Sequence, residues 1–203
     1  MLRGHAEALM PMVARVAEAA HLPFSAIDRF AVTVGPGTFT GIRVGIAAAR
    51  GLALATGRPL IGVTTLEAYA AEMGDKKKGR SIAIALDARR GEVYFQTFDA
   101  AGRPHSEAAV LTPRAAAECL STDLVLAGSG ARLVADALAA LGRTVRLSAR
   151  DLGPGPDPTV IARLAANRTM PDRPPAPLYL RPADAKPQPG ALPRQVDVEA
   201  RIR

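Results

Sequence analysis

Cysteine occurs once in the 203 residues, at Cys119, and histidine three times, at His5, His21 and His105. A single thiol excludes an internal disulfide and any multi-thiolate metal site, and three scattered imidazoles offer no metal-ligand spacing. Tryptophan is absent and aromatics make up 4% of the chain, which leaves little for the stacking platforms that single-stranded RNA recognition uses. Lysine is confined to Lys76, Lys77, Lys78 and Lys186, so most positive charge comes from twenty-two arginines dispersed among alanines. The net charge of +7 fits a polyanion partner, yet no RNA-binding module accompanies it. Long apolar runs are missing too. The stretch 46–54 is interrupted by Arg50 and falls short of the ~20 residues a membrane span needs. The opening MLRGHAEALMPMV lacks the basic, apolar and small-residue regions of a secretory signal, so the expected location is the cytoplasm.

What is present is a chain that is 48% hydrophobic and 22% charged, sufficient for one domain or two small ones. Residues 7–20 read as an amphipathic helix with Leu9, Val13, Val16 and Ala20 on one face. Pro11 either starts its well-formed part or bends it. The β-branched run 30–34 reads as a buried strand ending in the turn Gly35-Pro36-Gly37. A helix over 39–56 follows, stopped by Gly57, and then a strand over 60–63. Strand, helix, strand at these lengths is a parallel crossover unit. After it Thr64-x-x-Glu67 matches a capping box at another helix start.

The segment GDKKKGR, 74–80, is a charged break that reads first as a solvated loop and, if the chain has two lobes, as the seam between them. Beyond it 81–86 and 92–98 alternate as strands of a hairpin around 87–91, 124–127 is a buried strand, Gly128-Ser129-Gly130 a turn, and 133–141 a helix. The second half is therefore also α/β. Proline is dense from Pro154 onward, and 183–203 reads as a disordered or loosely docked tail.

Most information sits in VGPGTFTGIRVG, 34–45. A glycine-rich turn feeding a helix can cradle phosphate through free N–H groups, which makes Gly35, Gly37 and Thr38 candidates. The run lacks a P-loop's Gly-Lys-Ser/Thr ending and has one residue too many for the dinucleotide fingerprint, so a purely structural turn fits the bare pattern better. Glycine costs ~1 kcal/mol against alanine inside a helix, and this helix carries Gly41, Gly45 and Gly51. Close backbone approach along Gly41, Gly45 and Ala49 would offset that cost. Either the chain's own first helix or a helix of another chain could make it.

The block AVTVGPGTFTGIRVGIAAARGLALATGRPLIGVTTLEAYA, 31–71, with ALDARRGEVY at 85–94 and PLYLR at 177–181, resembles the TsaB (YeaZ) family over most of the chain up to about Pro182. The resemblance implies an actin-like α/β fold of the acetate kinase, sugar kinase and Hsp70 superfamily, with two ribonuclease H-like lobes. We expect a first lobe over 1–75, a second over 76–182 and the tail beyond. It also implies a non-catalytic subunit of the machinery that forms N6-threonylcarbamoyladenosine at position 37 of tRNAs reading codons beginning with A. Such a subunit supports the catalytic paralogue TsaD, with a TsaE-like ATPase as a further partner, a homodimer as a competing assembly, and tRNA contact mostly indirect. The paralogue carries two metal-ligating histidines four residues apart where this chain has Thr65 and Tyr69. Hydroxyl and phenol do not replace two imidazoles, so no cofactor of its own is expected, ATP and metal belonging to the partner.

The expected docking surface joins the first helix (Leu9, Met12, Val13, Val16) to the second (Ile42, Gly45, Ala48, Ala49, Leu52). An independent ATP- or metal-dependent enzyme and a direct tRNA-binding module are the alternatives. The chain departs from the family at its start: the resemblance implies an opening β-hairpin with an early Asp-Thr or Asp-Ser, and here the first helix comes almost at once. An open sheet edge beside 30–34 is the expected consequence.

Overall fold

The computed structural model describes residues 5–74, 79–121, 123–150 and 152–181. The lysine run at 76–78 and the tail at 183–203 therefore lie outside the described residues. Helix α1, His5–Ala19, continues through Pro11, which neither starts nor ends it. Its half-buried Leu9 and Val13 recur at helical spacing, and the helix rests on α2, Phe39–Thr56. Strand β1, Phe30–Thr33, enters the buried Gly35-Pro36 turn before α2 begins. Gly57 ends α2 in the left-handed conformation at φ 65°, its N–H donating to the carbonyls of Ala53 and Leu54.

Strand β2, Leu60–Val63, pairs in parallel with β1, with Phe30 opposite Leu60 and Thr33 opposite Val63. Among the described residues β1 has no other strand neighbour. All four of its residues are half-buried, as expected of an edge strand. Helix α6, Pro158–Ala166, follows the second sheet in sequence yet packs on β1 and β2, with Ala165 buried beside Ile61 and Val63. It thus crosses the division drawn at 74–80. Asp157 caps it: its carboxylate accepts from the Thr159 N–H at 2.7 Å, and that bond holds the group below its ordinary pKa.

The second sheet runs β5-β4-β3-β6-β7. Strands β3, Ser81–Arg89, and β4, Glu92–Phe98, form the antiparallel hairpin, with a register shift between Asp87 and Arg89. β5, Ala109–Leu111, extends it on one side. β6, Leu124–Ala127, and β7, Arg146–Leu147, extend it in parallel on the other. One face is covered by α4, Pro113–Glu118, and α5, Ala131–Ala140, around Ala85, Phe95, Leu126 and Leu138.

The opposite face is covered by α3, Thr65–Glu72, which follows directly from β2. Its capping box is closed on both sides: the Glu67 N–H donates to Thr64 Oγ1 at 3.0 Å, and the Thr64 N–H donates to Glu67 Oε2 at 2.9 Å. Leu66, Tyr69 and Ala70 pack into the second sheet's core with Ile82, Ile84 and Phe98. Ala68, on another side of the same helix, packs with Ile61, Val63 and Ala165. One short helix thereby completes two cores. Leu66→Ala is expected to lower the unfolding free energy by about 2–5 kcal/mol in a denaturant titration. A loss below about 1 kcal/mol would show that α3 is not held as described.

Candidate interaction surface

The Gly-Pro-Gly turn is closed by the chain itself. Leu178 donates its N–H to the Val34 carbonyl at 2.7 Å. The Leu178 carbonyl oxygen lies 2.9 Å from where a Gly35 side chain would begin, and Ile42 Cδ1 lies at 3.0 Å. Gly35, at φ 112°, is thus a glycine because backbone presses on it. Packing alone therefore accounts for a glycine at this position, with no phosphate needed to explain it. Gly37 and Thr38 remain exposed. Thr38 is the N-cap of α2 without a side-chain capping bond.

The three glycines of α2 have three different surroundings. A side chain at Gly41 would begin 2.6 Å from Thr38 Oγ1, and one at Gly45 would meet Val32 of β1 at 3.8 Å. Where a Gly51 side chain would begin, nothing among the described residues outside the helix itself lies within 4 Å. The helix therefore places Gly45 toward its own sheet, and Ile42 is buried against Gly35 and Gly37. Both were expected in a docking surface, and both belong instead to the inner face of the helix. Ala48, Ala49 and Leu52 are half-buried, as are Leu9 and Val13 of α1.

The outward face of α2 carries Ala47, Gly51 and Leu54, spaced at i, i+4 and i+7. Leu54 is 86% exposed. On α1, Met12 and Val16 share one face at i, i+4, and Val16 is 65% exposed. Two adjoining helices therefore show apolar or side-chain-free surface to solvent, and α2 has no carboxylate along its length. Of the residues proposed from sequence, Met12 and Val16 lie fully on this outward surface. Ala47, Gly51 and Leu54 were missed, because α2 is apolar on nearly every side and periodicity alone does not say which side is covered.

Thr65 and Tyr69, the positions matching the paralogue's ligands, do not form a site. Tyr69 is buried in the core, and its hydroxyl donates to the Gly153 carbonyl at 3.3 Å. Among the described residues no three His, Cys, Asp or Glu side chains gather as a metal cluster would. A shallow hollow of about 310 Å³ beside the end of α1 is lined by Ala14, Ala17, Glu18, His21, Leu22, Pro23 and Phe24.

The family model described as TsaD: tRNA N6-adenosine threonylcarbamoyltransferase matches residues 1–142. The chain is 34% identical to the tRNA threonylcarbamoyladenosine biosynthesis protein TsaB of Escherichia coli (strain K12), across 88% of this chain and 81% of that one. Among solved structures, YeaZ from Pseudomonas aeruginosa superposes with a TM-score of 0.63 at 30% identity, covering 82% of this chain and 78% of that one. A crystal structure of a protein with similarity to peptidase YEAZ from the same organism gives a TM-score of 0.67 at 29% identity, covering 87% and 84%.

The two faces of α2 should separate in a melting experiment. Ile42→Arg buries a charge against the Gly35 turn and is expected to unfold the protein or cost at least about 3 kcal/mol. Leu54→Asp changes a solvent-facing position and should cost less than about 0.5 kcal/mol. Equal losses would place both residues in the core.

Proposed function

We propose, from the premise that this chain belongs to the TsaB family and has its role in forming threonylcarbamoyladenosine in tRNA, that it does so as a docking subunit without catalysis of its own. The partner is a TsaD-type paralogue, which carries the metal, the nucleotide chemistry and most contact with tRNA. A TsaE-like ATPase joins the same assembly.

The observation that carries this reading is the bare, apolar outer face of α2 around Gly51 and Leu54. A helical glycine forfeits ~1 kcal/mol against alanine, and among the described residues nothing outside its own helix comes within 4 Å of where a Gly51 side chain would begin. Close approach by another helix would explain it, since a missing side chain lets two backbones come together. Covering Leu54 would add about 1.5–3 kcal/mol of favourable burial. The absence of imidazoles at 65 and 69 and the burial of Tyr69 support assigning the chemistry to the partner.

The test is co-purification with the paralogue from the same organism. Leu54→Asp and Gly51→Arg are each expected to abolish it, and with it the restoration of tRNA modification, while the melting temperature stays near wild type. Retained binding in both variants would move the interface elsewhere. The isolated chain is further expected to hold no stoichiometric zinc or iron and to transfer no threonylcarbamoyl group. One tightly bound metal per chain would overturn the non-catalytic reading.

A further inference from the structure

The PLYLR segment takes no part in the docking reading so far, yet it reaches the docking helix. From Pro175 to Arg181 the chain runs as a strap without regular secondary structure. Arg50 of α2 donates to the Pro175 carbonyl at 2.7 Å, and Pro175 packs where a side chain at Gly62 would stand. At the far end Arg181 pairs with Glu92 and donates to the Ala88 carbonyl at 3.2 Å. Between these anchors Tyr179 lies against the first turn of α2. Its ring stacks on Phe39 with centroids 5.4 Å apart, and its hydroxyl accepts from Arg43 Nε at 2.8 Å. The Arg43 guanidinium carbon sits 3.8 Å from the centre of the Phe39 ring.

This trio is built but not covered. Phe39 is 47% and Tyr179 45% exposed, although aromatic rings of this size normally bury most of their area. Arg43 spends its Nε–H on Tyr179, and among the described residues nothing accepts from its terminal nitrogens. α2 offers no carboxylate to pair with it. Stacking and the tyrosine bond hold the guanidinium in one orientation, so little freedom is left to lose when a planar acceptor arrives. Aromatic and arginine side chains locked in this way are the composition of interface anchors.

We propose that Phe39, Arg43 and Tyr179 form a second, polar-aromatic anchor of the α2 docking surface, and that the partner segment it receives carries an aspartate or glutamate paired to Arg43. The inference rests on the docking reading above and adds to it the chemistry of the partner. A residue from the strap, 136 positions from Arg43, thereby completes the surface offered by α2.

Titration of the full chain against its TsaD-type paralogue at low and high salt tests the proposal. Tyr179→Ala and Arg43→Gln are each expected to weaken binding about 30-fold. Arg43→Gln should also flatten the salt dependence, since a lost charge pair removes a screened interaction. Tyr179→Phe, which keeps the ring and loses the hydroxyl, should fall between wild type and Tyr179→Ala. Arg181→Gln releases the strap at its other end and should bind like wild type. If Leu54→Asp and Gly51→Arg both bind normally, the docking reading itself fails. If Leu54→Asp abolishes binding while Tyr179→Ala and Arg43→Gln bind like wild type, docking stands and the second anchor falls. Loss in Arg181→Gln equal to that in Tyr179→Ala would also overturn it, because the trio would then act only by holding the strap.

Discussion

A single eight-residue helix, α3, is required by two cores at once. Leu66 and Tyr69 fill the underside of the five-stranded sheet, and Ala68 closes the small core under β1 and β2. The helix starts at one fixed residue because the Thr64 and Glu67 bonds satisfy two half-buried N–H groups that the helix itself leaves without partners. The Arg168 guanidinium reaches Glu67 Oε1 at 2.9 Å, which ties the end of α6 to the same capping box. At about one-third exposure that pair contributes less than its distance suggests. Burial of the apolar side chains of α3 contributes more. Tyr69 is spent on packing, so a histidine at its position would have to be accommodated inside the core.

That arrangement decides which surfaces remain available. The inner face of α2 is committed to β1 and the Gly-Pro-Gly turn through Ile42, Gly45 and Ile46, and one flank is engaged by the strap through Arg43 and Arg50. The side bearing Ala47, Gly51 and Leu54 is left over. A protein of this size commonly exposes isolated leucines. A glycine that no described residue outside its helix approaches, beside a leucine at 86% exposure on a helix with no acidic residue, is a more specific combination. It is what a close helix–helix contact would require of one side.

Much of the architecture could be read from residue order. The limits of α2 and β2 agree with the expected 39–56 and 60–63 because proline, glycine and β-branched residues mark each boundary. The hairpin was legible from its alternation, although β3 runs on to Arg89 and the turn is tighter than expected, with Arg89 and Arg90 both in the left-handed region. α6 was not anticipated. Its start signal, Asp157 followed by Pro158, is a good cap with proline at the first helical position, but it stands in a proline-dense stretch that reads as irregular. The surface was the least legible part. Gly45 and Gly51 look alike in the sequence, and only the position of β1 shows that one is covered by Val32 and the other is open. The contact of Tyr179 with Arg43 depends on a path through the whole second sheet, and no local pattern encodes it.

Hydrogen exchange of the full chain, with and without the TsaD-type paralogue, measures whether that partner sits on the outer face of α2 and does so without altering any residue. Amides over 43–56 and over 9–16 should become slower to exchange on complex formation, while the second sheet, already enclosed by α3, α4 and α5, should change little. Protection confined to 109–147, with α2 exchanging as it does in the free chain, would contradict that placement.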